Sequence, residues 1–154
     1  MPQNNNYQRT IAVGASAADA FAAVVDVAAW WVKSIEGPSR HPGDQFKVDM
    51  GKTYVTIKIT EFIPGRRLVW SVVDCYIHFL EDKREWTGTS IVFEIDGGGG
   101  STSITMTHVG LTPEVECFEA CQQGWDGYFL GSLPALITEH MGKPKDFSAA
   151  KVAS

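Results

Sequence analysis

No stretch of this chain is apolar for long enough to cross a bilayer, and no run of like charge interrupts it. The first absence excludes a membrane-spanning helix. The second, with a formal net charge of −5, leaves no basic footprint of the kind that nucleic acid or an anionic membrane demands. Met1 to Gln8 is polar and holds no apolar signal core, so the cytoplasm is the expected compartment. Cysteine is scarce and odd in number, at Cys75, Cys117 and Cys121, which argues against a disulfide framework. Cys117 and Cys121 lie one helical turn apart and Cys75 lies near His78, but neither pair has the C-x-x-C form of structural zinc sites. Three small buried thiols and no metal are expected. The chain also lacks a Ser-centred nucleophile elbow, a phosphate loop, a dinucleotide fingerprint and a metal-binding His pair. That silence weighs against the common hydrolase, kinase and dehydrogenase classes and against an enzyme in general, and it implies no cofactor.

What the chain does have is aromatic bulk. Trp30, Trp31, Trp70, Trp86 and Trp125 are five tryptophans in 154 residues, a length sufficient for one domain with a real core. Indole N–H groups need acceptors, so tryptophans in such number point to a pocket or an interface. Alternation of polar and apolar residues predicts strands at Tyr7 to Val13, Asp44 to Met50, Thr53 to Phe62, Arg67 to Val73, Thr87 to Ile95 and Ser101 to Val109. Ser16, with Asp19 three residues on, predicts a capped helix after the first strand, and Trp30 and Trp31 fall in a short second helix or turn. Ile63-Pro64-Gly65-Arg66 has the residue order of a type II turn. Ile35 to Pro42 reads as loop, Asp74 to Glu85 as a long connection and Gly97 to Gly100 as a hairpin loop, while Lys143 to Ser154 reads as frayed.

The last third of the chain predicts one long helix from Thr112 to His140. Thr112 suits its N-cap, Pro113 its first position, and Glu114 and Glu116 the positive end of its dipole. Val115, Phe118, Cys121, Trp125, Phe129, Leu133 and Leu136 fall on one stripe. Pro134 predicts a kink, because it removes the bond to the Leu130 carbonyl. Gly124 and Gly127 signify either close packing on Trp86 or a segment that shifts to admit a ligand. The order is strand, helix pair, five antiparallel strands, long helix, which makes an α+β protein with helices on one face of the sheet.

This order resembles the helix-grip, birch-pollen-allergen-like fold of the SRPBCC, or START-like, superfamily. Within it the chain is most similar to the heat-shock-chaperone ATPase-activator (Aha1)-like branch and the related CalC-like proteins. The matching residues are Ser16 to Phe21 with Trp30-Trp31, Ile63 to Trp70, Glu85 to Thr89, Thr107 to Leu111, and Gly124-Trp125 with Leu133, spanning about 7–142. The resemblance implies a single domain over 1–154 with an ordered core at about 7–142. Its sheet would have about six strands wrapped on the long C-terminal helix, with an apolar cavity between them. It implies no shared catalytic set. Members bind hydrophobic ligands, act on them, or serve as partner-binding modules, and fold alone does not choose among these. The expectation adopted is a small hydrophobic ligand held between sheet and helix. A chaperone-binding module with a role in stress response ranks behind it, since the sequence carries no counterpart of the N-terminal domain of eukaryotic co-chaperones. A cyclase-like or resistance enzyme ranks third. A homodimer stays open as the assembly.

Candidate ligand-binding residues follow from strand parity and the helical stripe. Trp30, Trp31, Trp70, Trp86, Phe118, Trp125 and Phe129 form an aromatic wall, and Phe93 and Met106 face them from the sheet. The cavity itself is expected between Trp125, Met106 and Phe93. His108 shares a face with Ile104 and Met106 and is the one weak catalytic candidate, either an acid/base in the pocket or a structural histidine bonded to backbone or to Trp86. Gln122 is a polar residue on the apolar stripe, suited to a ligand, a water or the sheet. Tyr54 is expected outside or at a rim, and Tyr76 and His78 on a lid or a solvated loop.

Overall fold

The computed structural model describes residues 5–98 and 100–145. Most of the terminal segment expected to fray, and Gly99 of the glycine loop, lie outside them. Seven strands form one antiparallel sheet in the order β1-β7-β6-β5-β4-β3-β2. They are β1 (Tyr7–Val13), β2 (Ile35–Glu36), β3 (Gln45–Met50), β4 (Thr53–Ile63), β5 (Arg67–Tyr76), β6 (Ser90–Gly98) and β7 (Ser101–Val109). The first strand returns to pair with the last, as sequential hairpins require. β2 is an addition to the expected six, a two-residue strand inside the segment read as loop. The glycine loop is also shorter than expected, since pairing runs out to Gly98 and Ser101.

Turn chemistry sets the registers. Pro64 and Gly65 make the expected type II turn, with φ +76° at Gly65 and the Arg66 N–H donating to the Ile63 carbonyl at 2.9 Å. Register shifts between β4 and β5, at Thr56/Ile57 and Ile59/Glu61, are bulges that bend the sheet. Its concave side carries Phe46, Val55, Ile57, Trp70, Phe93, Ile104 and Met106, all nearly free of solvent.

Helices cover that side. Ser16 caps α1 (Ala17–Val25) by accepting the Asp19 N–H at 3.0 Å, and α2 (Val27–Trp30) follows at once. The predicted long helix is present but begins later and is not uniform. It comprises α3 (Phe118–Trp125), a π-helical segment (Asp126–Ser132) and α4 (Leu133–Glu139). Thr112 and Pro113 lie in turns instead. The reason is Glu85, whose carboxylate accepts the N–H groups of Glu116 and Cys117 at 3.0 and 2.8 Å. A distant side chain thus satisfies donors that a local cap was expected to take. Glu116 in turn accepts the N–H groups of Glu81 and Asp82, rather than stabilising a helix dipole. The kink foreseen at Pro134 is replaced by the wider π turn. Leu133 donates to Tyr128 five residues back, and Pro134 then stands in the first turn of α4, where a missing N–H matters least.

Below the start of this helical arm, Gly110 has φ +105°, and a Cβ there would lie 2.6 Å from Thr89 Cγ2. Both strain and overlap oppose any side chain. Gly110→Ala is expected to lower unfolding stability by about 1–3 kcal/mol in urea titration. A change within experimental error would show that the turn relaxes freely.

Candidate functional site

An apolar cleft of about 160 Å³ opens beneath the first half of the helical arm. The β3–β4 hairpin contributes Met50, Thr53 and Val55, and the segment after β5 contributes Ile77, Phe79 and Trp86. The helical arm contributes Cys121, Gly124, Trp125 and Tyr128, and Trp31 closes the inner end. Phe79, 54% exposed, stands at the rim. No charged side chain lines the cleft. A Cβ at Gly124 would meet nothing within 4 Å, so close backbone packing on Trp86 is not what this glycine provides.

The segment that carries the rim is anchored rather than loose. Ile77 donates to the Lys83 carbonyl at 2.8 Å, and Thr53 Oγ1 accepts the His78 N–H at 3.1 Å while lying 2.8 Å from His78 Nδ1. The reciprocal bonds of Glu85 and Glu116 then fasten it to the helical arm. Tyr76 belongs to β5 and stacks on Tyr54, whose hydroxyl donates to Asp74.

Three of the predicted binding residues, Trp31, Trp86 and Trp125, line the cleft. The others do not. The void expected between Trp125, Met106 and Phe93 is filled. Phe93 packs against Trp30, Trp70 and Phe129 with centroids 4.8–6.4 Å apart, and Met106 is fully buried. Phe118 packs at the margin of the core. Gln122 accepts from Arg9 Nη2 at 3.4 Å, the bond to the sheet among its three alternatives. The open space lies one aromatic layer further out, because parity shows which way a side chain points, not how much room its neighbours leave. Val55 and Gly124 carried usable signals, an inward parity and a mid-helix glycine. The rim residue Phe79 carried none.

His108 points inward as parity requires, but both ring nitrogens are taken. Trp125 Nε1 donates to Nδ1 at 3.1 Å, and an indole nitrogen only donates, so the proton sits on Nε2. Nε2 meets Thr89 Oγ1 at 2.9 Å, and that hydroxyl donates to the Trp86 carbonyl at 2.7 Å. Burial pushes the His108 pKa from 6.5 down to about 3. The ring is thus a neutral bridge, and Trp86 packs edge-on against it at 4.6 Å rather than bonding it. On the opposite flank, Asp126 accepts from the Tyr7 hydroxyl at 2.7 Å and from Arg9 Nε at 3.0 Å. Burial, then the bond to Asp126, keeps the Tyr7 phenol protonated.

The cysteines correct another expectation. Cys117 and Cys121 are paired as a disulfide, with Cα atoms 5.5 Å apart, inside the range that a bridge spans. Among the described residues Cys75 alone is a free thiol, buried beside Thr87. Counting an odd total hid the pair, since a bridge across one turn leaves an odd cysteine over.

Comparison with known proteins accords with this geometry. The sequence profile of a family described as activator of Hsp90 ATPase homolog 1-like protein matches residues 15–138. No protein of curated function matches in sequence. The fold is similar to the solution structure of the Aha1 dimer from Colwellia psychrerythraea, with TM-score 0.71 and 21% identity over 86% of this chain and 95% of that one. It is also similar to CalU16 from Micromonospora echinospora, with TM-score 0.66 and 16% identity over 96% and 82%. Protein SSP2350 from Staphylococcus saprophyticus gives TM-score 0.67 and 15% identity over 92% and 98%.

Two outcomes follow from the His108 bridge. The ring resonances of His108 should not move between pH 8 and 4.5 in an NMR titration, and a midpoint near 6 would contradict the assigned hydrogen bonds. Because the folded pKa lies below the unfolded one, the neutral ring's contribution to stability is complete above about pH 6.5 and is lost as pH falls toward 3. Trp125→Phe strands the buried Nδ1 acceptor and should cost about 1–3 kcal/mol beyond the effect of lost packing. Equal stability of the two proteins in denaturant titration would show that water replaces the indole.

Proposed function

The chain belongs to the activator of Hsp90 ATPase homolog 1-like family, and from that premise we propose that it binds a small hydrophobic molecule in the cleft beneath its helical arm. One observation carries the reading: a concave site of about 160 Å³ with aromatic walls and no charged side chain in its lining. Transfer of an apolar ligand from water to such a surface is favourable by roughly 25 cal/mol for each Å² buried. The cleft lies where sheet and helical arm meet. His108 supports binding rather than chemistry, because neither of its nitrogens is free to exchange a proton with a ligand.

A second reading is a protein-interaction module. It is favoured by the family's description as a chaperone ATPase activator and by exposed apolar side chains, among them Leu130 on the arm and Phe79 at the rim. The Colwellia Aha1 structure is a dimer, and a homodimer of this chain belongs to the same proposal. No helix of the described residues is long and apolar enough to cross a membrane.

Gly124→Leu separates the readings. The new side chain enters open space in the cleft, and leucine in place of glycine favours a helix by about 1 kcal/mol. The variant should therefore fold at least as stably as the parent while binding apolar ligands at least tenfold more weakly, read by tryptophan quenching. Undiminished binding would remove the cleft from consideration. Pull-down and stimulation of a chaperone ATPase, equal for parent and variant, would support the module reading.

A further inference from the structure

The Cys117–Cys121 bridge spans one helical turn, and that turn is held by other means. The Cys121 N–H donates to the Cys117 carbonyl at 2.8 Å. Immediately before it, the Glu85 carboxylate accepts the N–H groups of Glu116 and Cys117. A bridge stabilises a fold chiefly by constraining the unfolded chain, and less so the shorter the loop it closes. Here the two cysteines are separated by only 4 positions in sequence. The fold therefore has little need of the bridge.

The two sulfurs stand in unlike surroundings. Cys117 has no solvent exposure. Cys121 is partly exposed and borders the cleft. Gly124, in the same lining, adds no side chain beside it, and even a Cβ there would meet nothing within 4 Å. The remaining cysteine, Cys75, is fully buried and donates to the Lys83 carbonyl at 3.6 Å, so it is no internal attacker. Exchange between thiols and disulfides depends on which sulfur a thiolate can reach. In this bridge that sulfur is Cys121 Sγ.

We propose that Cys121 is a site of thiol exchange, at which an external low-molecular-weight thiol opens the bridge from the cleft side. The thiolate attacks Cys121 Sγ, a new S–S bond forms, and the bond to Cys117 breaks. Cys117 departs as a thiolate and takes up the proton that the attacking thiol released. A second thiolate then attacks the sulfur of the bound thiol and frees Cys121, which is protonated in the same way. In sum, two thiols are oxidised to one disulfide, and the bridge gains two electrons and two protons to become two cysteine thiols. An external disulfide closes it by the reverse steps. Because Cys121 belongs to the cleft wall, exchange alters that wall and leaves the fold intact.

Three measurements on the whole protein test this. Dithiothreitol without denaturant should reduce the bridge while the indole N–H signals stay dispersed, and oxidised glutathione should restore it, read by intact mass after alkylation. Cys117→Ala leaves Cys121 free, and 2-hydroxyethyl disulfide should label that thiol at least tenfold faster than it labels Cys117 in Cys121→Ala. Peptide mapping separates either label from Cys75. In the parent protein, treated briefly with 2-mercaptoethanol and quenched in acid, the adduct should lie on Cys121, which decides the point even where a variant does not fold. Reduction only in denaturant, collapse of the indole signals on reduction, equal labelling rates, or an adduct on Cys117 or on neither cysteine would each overturn the inference. Loss of apolar-ligand binding would not, since exchange needs access to Cys121 and no occupant of the cleft.

Discussion

Contact among five indole rings holds this structure together. Trp30 and Trp31 bring α2 and its C-terminal flank onto the sheet, where Trp70 lies almost parallel to both, at 6.5 and 5.8 Å. Trp31 meets Trp125 of the helical arm at 4.7 Å, and Trp125 stacks on Trp86 at 6.0 Å. Short helix, sheet, arm and connecting segment therefore share one aromatic column. His108 closes it by accepting from Trp125 and packing against Trp86. Aromatic pairs contribute about 0.5–1.5 kcal/mol each beyond the area they bury, so the column positions elements that hydrogen bonds alone do not join. The cleft exists where the column ends and the next layer has not yet closed.

Two carboxylate clasps hold the arm over the sheet from either flank. Asp126 joins the start of the π segment to Tyr7 and Arg9 on β1. Glu85 and Glu116 exchange backbone donors between the arm's N-terminal flank and the segment carrying Trp86. Between these clasps the arm is short of side-chain bulk at Gly124, and Gly127 and Gly131 follow just past Asp126. Anchored ends and a thin middle leave room beneath the arm without loosening it. The π turn adds to this, because it widens the helix over Asp126–Ser132 and sets Tyr128 beside the cleft and Phe129 in the core.

Strand parity was legible because a half-buried strand shows its period in any window of a few residues. β1, β3, β4, β5, β6 and β7 lie within about three residues of the spans that alternation predicts, and His108 faces inward with Ile104 and Met106. The closing of the sheet by β1 was legible from strand order alone. What failed depended on partners distant in sequence. The arm starts at Phe118 because Glu85 reaches it from another segment, and no local pattern around Thr112 records that. The Cys117–Cys121 bridge escaped an argument based on counting. Parity does not show which layer is open, since filled and empty space differ by the packing of Trp30, Trp70 and Phe129 around Phe93. Local pattern sets direction; volume is a property of the assembled molecule.

The aromatic column also has an optical consequence. Rings stacked 4.7–6.5 Å apart do not absorb as independent chromophores. Transition dipoles this close couple, so excitation is shared among the five rings without a fixed direction. Three of the coupled rings, Trp31, Trp86 and Trp125, border the candidate binding site, so an occupant there acts on the emission of the whole set.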